Sequence, residues 1–226
     1  MLKNNNGKNN SFYGKHHSKK TKELLSKINT IPRTKPFIIS ETMEYIINGL
    51  MLGDGCLFQS KKTTARYSHG YKYKEYIDFI CKELDIEWGK LYQDKKTNCF
   101  HIKSLSSPTW LELKQKWYID NKKIVPKDIK INGKTLLFWF LGDGFINTPT
   151  KYRDKDTKYY EIFLCTDAFN RDDNNFLINK LSDIGIVSTL TSRNRLRISA
   201  KSNKRFFELV GECPVECYKY KWRMKK

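Results

Sequence analysis

The chain has 226 residues, 39% hydrophobic and 14% aromatic, enough for one large domain or two small ones with a real core. Its 43 Lys and Arg against 24 Asp and Glu give a formal net charge of +19, which favours a polyanionic partner, nucleic acid first and an acidic membrane second. No apolar run approaches the roughly 20 residues of a membrane span, MLKNNNGKNN lacks the apolar core of a signal peptide, and the six cysteines form no CxxC pair; the expectation is an intracellular protein, free of membrane, with reduced thiols.

Residues 1–10 are polar and read as disordered. In the following SFYGKHHSKKTKELLSKIN, Ser18 can cap a short basic helix with Leu24, Leu25 and Ile28 as one small apolar stripe. That helix is too short to stand alone and suits lying along DNA. TIPRTKPF (30–37) reads as an extended linker, because each proline biases its predecessor away from helix.

From residue 38 the chain repeats itself. Ser40 caps a helix with Glu41 and Glu44 in its first turn, ending at Asp54-Gly55. CLFQSKKTTARYSHGYKYK is a basic hairpin and EYIDFICKELDI an amphipathic helix. GKLYQDKKTNCFHIKSL is two strands around a polar turn. SPTWLELKQKWYI is a helix with Ser107 as N-cap and Pro108 at N1, and DNKKIVPKDI closes the unit. The second pass keeps this order: helix GKTLLFWFLGDG, hairpin FINTPTKYRDKDTKYYEIFLCT, helix RDDNNFLINKLSDIGI, hairpin STLTSRNRLRIS turning at Arg193-Asn194-Arg195, helix KSNKRFFELVGE, closing CPVECYKYKWRMKK. Phe79 and Leu84 in the first unit match Phe176 and Leu181 in the second. Alternating strands and helices also fit a parallel α/β fold, but the short polar turns favour hairpins. The reading is therefore α+β, two αββαββα units over residues 38–130 and 131–226, preceded by a basic tail and linker over 1–37.

Each unit's first helix ends in LGDG, at Leu52–Gly55 and Leu141–Gly144, with Asp54 and Asp143 89 residues apart. One copy reads as a helix stop, with glycine in the left-handed region. Two copies ask for more, because a carboxylate at a helix C-terminus faces the negative end of the dipole at a cost of roughly 0.3–1 kcal/mol. If the two units pair about a pseudo-twofold axis, the carboxylates meet and repel. Divalent cations relieve both problems and accept the last-turn carbonyls of Gly53 and Gly142 as further ligands. An all-oxygen ligand set suits Mg²⁺, with Mn²⁺ as its substitute. Gly49 and Gly53 let the first helix approach closely, whereas Phe138 stands at the place of Gly49 in the second, so the interface is expected to set small against large.

GLMLGDGCL and FWFLGDGFI in a duplicated αββαββα chain resemble the two motifs of a single-chain LAGLIDADG homing endonuclease, over about residues 38–226. The resemblance implies two sheets forming a saddle over DNA, motif helices at the interface, and metal-dependent double-strand cleavage across the minor groove that leaves short 3′ overhangs. Asp54 and Asp143 match the metal-binding aspartates. NKKIVP resembles the segment with an active-site lysine, here Lys123, and ECYKYKW the corresponding C-terminal segment, pointing to Lys219. The polar hairpin residues that order water in this family have as candidates Ser68 or His69 in one half and Thr166 or Asp167 in the other. FYGKHHSKKTKELLSKI resembles the short DNA-binding module appended to many phage-type homing nucleases, with Lys19-Lys20 where an acidic pair is usual.

The basic hairpins supply candidate DNA contacts: Lys61, Lys62, Arg66, Lys72 and Lys74; then Lys151, Arg153, Lys155 and Lys158; then Arg193, Arg195 and Arg197, which alternation puts on one strand face. Arginine can grip guanine bidentately, while the lysines position phosphates. Tyr71, Tyr73, Trp110, Trp117 and Trp139 read as packing residues rather than stacking platforms. The expected partner is double-stranded DNA with a long asymmetric site, bound by a monomer in the cytoplasm of a bacterium or phage-infected cell or in an organelle matrix. An intron RNA maturase or a non-cleaving DNA-binding protein on the same scaffold is the alternative.

Overall fold

The computed structural model of the chain describes residues 7, 10, 13–30, 36–148 and 160–225. Residues 1–6, 8–9, 11–12, 31–35, 149–159 and 226 lie outside the described residues, and so do the expectations placed on them. Helix α1 (Lys19–Thr30) starts where its cap was expected, with Thr21 donating its N–H to Ser18 Oγ at 3.2 Å. Its Leu24 and Leu25 are exposed.

The first unit runs α2 (Glu41–Leu52), β1 (Cys56–Lys61), β2 (Thr64–Tyr71), α3 (Lys74–Glu83), β3 (Tyr92–Gln93), β4 (Phe100–Lys103) and α4 (Pro108–Trp117). Ser40 Oγ accepts from the Met43 N–H, and Ser107 Oγ from the Thr109 N–H. A short hairpin, β5 (Tyr118–Ile119) and β6 (Lys122–Lys123), follows α4. The sequence reading placed no strands there. Asp120 and Asn121 between them both have positive φ, 50° and 61°, the requirement of a two-residue primed turn, and Asp and Asn tolerate it better than most residues.

The second unit runs α5 (Gly133–Asp143), β7 (Gly144–Asn147), β8 (Glu161–Leu164), α6 (Arg171–Asp183), β9 (Ser188–Leu190), β10 (Leu196–Ile198) and α7 (Asn203–Val210), and closes in a 3₁₀ helix, Glu216–Lys225. The two sheets have one topology. Strand order is β1-β2-β4-β3 in the first and β7-β8-β10-β9 in the second, every pair antiparallel. The fold is therefore α+β and duplicated.

One face of each sheet is buried: Leu57 opposite Tyr67 and His69 opposite Ile102 in the first, Leu164 opposite Leu196 in the second. Trp110, Trp117 and Trp139 are all core residues. A single apolar cluster extends from Ile46 to Trp222 through both units, with α2 and α5 at its centre. Both motif helices are polar in their first turns and apolar beyond them, where α2 buries Ile46–Leu52 and α5 buries Leu136 and Phe138–Leu141. The contact sets small against large as expected. A Cβ on Gly49 would run into the Thr135 carbonyl oxygen and come within 2.8 Å of Phe138 Cβ.

Candidate active site

The two motif helices meet at their C-terminal ends. Gly53 lies against Gly142 and the Asp143 amide, and Gly142 reciprocally against Gly53 and the Asp54 amide; a Cβ on either glycine would sit 3.5 Å from both of its neighbours. The glycines of the motif serve proximity rather than left-handed geometry. Gly53 has φ −100° and Gly144 φ −95°, neither in the region expected of a simple helix stop. Gly55 is confined by the Leu50 carbonyl and the Tyr67 ring, with only 2.7–2.9 Å available to a Cβ. The chain thus leaves each helix under tight cover and enters β1 or β7 directly, which fixes Asp54 and Asp143 at the junction of the two units. The helices end at Leu52 and Asp143, so only the second extends to its aspartate.

Among the described residues neither carboxylate receives a hydrogen bond or an ion pair from the protein. Partial burial raises the pKa of Asp54 against the pull of Lys123 and Lys221. Burial, with the negative charge of Asp54 second, pushes Asp143 up to about 6. Two desolvated carboxylates, one of which raises the pKa of the other, make a site that favours an added cation. No group of three or more His, Cys, Asp and Glu forms among the described residues. A cation here would take two carboxylates and complete its shell with main-chain oxygen, water and ligand oxygen. That composition fits Mg²⁺, which keeps several waters, and does not fit zinc.

Two ammonium groups, from the half-buried Lys123 and the buried Lys221, flank the carboxylates. Lys123, on β6, donates to the carbonyl oxygens of Met51 (2.8 Å), Gly53 (3.0 Å) and Gly55 (2.7 Å), where α2 ends. Burial lowers its pKa. The Gly53 carbonyl, expected to be free, is thus already an acceptor; its second lone pair remains for another partner. On the second unit the corresponding place belongs to Lys221. Its Nζ, buried with the rest of the residue, donates to Phe140 O (2.8 Å) and Leu141 O (2.9 Å) at the end of α5. Burial brings its pKa down to about 8. Lys219, expected there from the sequence, is not brought to the site. It lies on the exposed side of the 3₁₀ helix in an ion pair with Glu216 (2.6 Å). The signal separating the two was the register of ECYKYKW on a three-residue turn, where Tyr218 and Lys221 share the inward side.

The other expected residues are spread over the surface. Arg66, on the open face of the first sheet, donates from Nε to Ser106 Oγ (2.6 Å). Lys61, Lys62 and Lys72 are exposed. Lys74 belongs to α3, not to a strand, and pairs with Asp78 (2.6 Å). Lys151, Arg153, Lys155 and Lys158 lie outside the described residues. Arg195 and Arg197 share the open face of the second sheet, while Arg193 is in the turn. Arg195, just before β10, and Arg197, within it, are already engaged, Arg195 with Asp167 (2.9 Å) and Arg197 with Glu161 (3.3 Å). Of the water-ordering candidates, His69 points into the core, its Nδ1 2.8 Å from the Tyr67 hydroxyl and its pKa pushed down to about 3 by burial. Thr166 donates to Asn194 O (2.8 Å) and is buried, leaving Ser68 and Asp167 on the accessible side.

The sequence reading missed the aromatic and cationic residues that cross-strand pairing puts on the open faces. On the first, Lys103 is opposite Ser68, with its ammonium 5.5 Å from the Phe58 ring and 5.8 Å from that of Tyr92. On the second, Phe145 and Phe163 stack at 4.9 Å and Arg195 covers Phe145 at 5.8 Å. Strand alternation could have found them, had the strand ends been known.

A family model of the LAGLIDADG DNA endonuclease family matches residues 44–206. The chain belongs to the LAGLIDADG DNA endonuclease family. A NUMOD3 motif matches residues 1–26, the basic tail and most of α1. Among curated proteins, "Uncharacterized protein MJ1098" of Methanocaldococcus jannaschii is 27% identical over 187 residues, covering 80% of this chain and 68% of that one. Among solved structures, the homing endonuclease I-WcaI, bound to its DNA recognition sequence, superposes with a TM-score of 0.67 at 22% identity, covering 91% of this chain and 92% of the other. The LAGLIDADG meganuclease I-AabMI, bound to uncleaved DNA, superposes at 0.50 with 11% identity over 80% and 87%. At these identities the likeness is one of fold. As a LAGLIDADG chain it has both motif aspartates and a lysine at the end of each motif helix.

Proposed function

We propose that this LAGLIDADG chain is a site-specific homing endonuclease that hydrolyses one phosphodiester in each strand of double-stranded DNA and leaves short 3′ overhangs. The observation that carries the proposal is the meeting of Asp54 and Asp143, desolvated and without a hydrogen-bond or ion-pair partner among the described residues, between Lys123 and Lys221 at the ends of the motif helices. Asp54 and Asp143, with the Gly53 and Gly142 carbonyls, would hold Mg²⁺, with Mn²⁺ as a substitute. When bound, the ion supplies an activated water and offsets charge on the attacking and leaving oxygens.

The protein's own residues supply position and charge. The helix-end carbonyls hold the Lys123 and Lys221 ammonium groups beside the carboxylates, where they face the extra negative charge of a phosphoryl transition state. Their surroundings are largely protein, so that charge acts through a lower dielectric than water. Ser68 and Asp167 lie on the accessible side as candidate hydrogen-bond partners for water. The open faces of the two sheets, with Arg66, Lys103, Arg195 and Arg197, contact the flanking duplex; α1 extends this contact beyond them. The structural likeness to I-WcaI, a homing endonuclease bound to its DNA recognition sequence, supports this placement. Two non-identical units in one chain imply a monomer reading an asymmetric site in the genome of a mobile-element host.

The test is cleavage selection from a randomised duplex pool with Mg²⁺ and with EDTA, using the native chain, Asp54→Asn and Asp143→Asn. Mg²⁺-dependent double-strand cutting at one long site, abolished in each variant while binding survives, is the expected result. A native chain that binds DNA or a structured intron RNA tightly and never cuts would refute the endonuclease reading in favour of a maturase or binding protein.

A further inference from the structure

The segments that carry Lys123 and Lys221 are each fastened to the opposite unit. Val125, two residues after Lys123 and fully buried, donates its backbone N–H to Asp173 Oδ2 (3.3 Å) in the first turn of α6. Lys127 pairs with the other oxygen of the same carboxylate (3.2 Å). Asp173 is itself buried, its own amide capped by Asn170 Oδ1 at 2.8 Å. The reciprocal arrangement holds Lys221. The 3₁₀ helix that presents it opens with two free amides, and both donate to Glu75 in the first turn of α3: Glu216 N–H to Oε1 (2.5 Å) and Cys217 N–H to Oε2 (3.1 Å). Directly after them the buried Tyr218 packs edge-on against Tyr76 (5.1 Å) and beside Tyr71 (5.6 Å), both from the first unit.

We propose that Glu75 and Asp173 are positioning residues, two clasps across the pseudo-twofold axis that hold Lys221 and Lys123 against the ends of α5 and α2. The proposal rests on the endonuclease reading only for its effect on cleavage; the clasp itself is a statement about where the lysines are held. The two carboxylates do not occupy equivalent repeat positions. With Phe79 matched to Phe176, Glu75 falls on Asp172 and Tyr76 on Asp173. Neighbouring residues of the two helices therefore do the same work, and comparing the repeats by sequence does not reveal it. The geometry also separates the two halves of the reaction. Each clasp serves one lysine, and each lysine bonds the end of one motif helix, so releasing one clasp must slow one strand more than the other. The arrangement ties lysine placement to the contact between units: a chain whose units have parted loses both ammonium groups from the site.

The experiment uses the full chain with Glu75→Ala and Asp173→Ala, the conservative Glu75→Gln and Asp173→Asn, and Lys221→Met and Lys123→Met as references. The first readout is the rate at which acetic anhydride labels individual lysines, resolved by mass spectrometry, which needs no cleavage. Glu75→Ala should label Lys221 about tenfold faster, the factor a lost charge-assisted hydrogen bond carries, with Lys123 unchanged; Asp173→Ala should do the reverse. The second readout is nicking of a supercoiled plasmid that carries the selected site, with the nicked strand identified by primer extension along each strand. Glu75→Ala should accumulate nicked circle, with kcat lowered on the strand that Lys221→Met slows and KM unchanged. Asp173→Ala should match Lys123→Met in the same way, and Gln or Asn, which keep one carbonyl oxygen, should recover much of the loss. Unchanged labelling, or equal loss on both strands, overturns the proposal. If the native chain does not cut, the endonuclease reading fails while labelling still decides the clasp. Glu75 is exposed, so its variants test the proposal even if Asp173→Ala does not fold.

Discussion

Gly49→Ala offers the sharpest test of how the two motif helices are joined. In a free helix this exchange stabilises by about 1 kcal/mol, because alanine loses less backbone freedom than glycine. Here the added Cβ meets the Thr135 carbonyl and comes to 2.8 Å from Phe138 Cβ and 3.1 Å from Thr135 C. None of these belongs to the far end of a flexible side chain. The Thr135 hydroxyl is tied to the Tyr45 carbonyl across the same contact at 3.0 Å, and Phe138 is stacked on Phe79 at 5.4 Å, so neither can turn aside. The helices must separate, and overpacking of this kind costs roughly 1–3 kcal/mol. With the helix gain subtracted the net loss is about 1 kcal/mol, so the melting temperature of a chain this size should fall by roughly 2–4 °C. Gly53→Ala, one turn on, is the internal control. Its Cβ would stand 3.5 Å from Asp143 N and Gly142 Cα, an ordinary contact, so its stability should stay within about 0.5 kcal/mol of native. Urea unfolding followed by tryptophan fluorescence reads both variants, since Trp139 lies in the strained helix. If Gly49→Ala is as stable as the native chain, or if Gly53→Ala loses as much as Gly49→Ala, the account of this interface is refuted.

Lys221→Met should slow cleavage by roughly 10²–10³ with DNA affinity retained, the loss seen when one preorganised transition-state donor is removed. Lys219→Met should cleave at the native rate, and the reverse outcome in a single-turnover assay would return the role to Lys219. Asp143, at about 6 against an ordinary 3.8, keeps a proton when folded that the unfolded chain has lost, so metal-free stability falls as pH rises through that window and stays lower at neutral pH. Metal-free Asp143→Asn should therefore melt above the native chain at neutral pH and lose that advantage below 3.8, as calorimetry will show; an equal gain at both ends would exclude titration as the cause. The exposed Lys61 and Lys62 are expected to touch phosphates, so replacing both with alanine should reduce the slope of log affinity against log salt by about 2. An unchanged slope would remove that turn from the DNA interface.

Much of the fold was legible because its signals are local. Ser40 and Ser107-Pro108 mark helix starts through hydrogen bonds made within a few residues, and by them the sequence alone located α2 and α4. Duplication was legible because the same run of elements occurs twice, and the two LGDG copies identified the carboxylates at the paired helix ends. The β5–β6 hairpin was not read, although Asp120-Asn121 carried a turn signal, because strands of two residues leave no periodicity to detect.

The sequence by itself determined a basic, duplicated α+β chain with one aspartate at the end of each unit's first helix. Tertiary structure alone decided which lysine reaches each helix end. Lys219 and Lys221 are equally lysine in sequence, and only the 3₁₀ turn, seated by Glu75 and by Tyr218, buries the second and exposes the first. The structure likewise decided which basic residues are already committed to carboxylates, Arg195 to Asp167 and Arg197 to Glu161 across strands and loops. Charge and periodicity are properties of neighbours along the chain. Burial and pairing depend on groups that may be a hundred residues away, such as Glu75 and Glu216, and no local pattern encodes them.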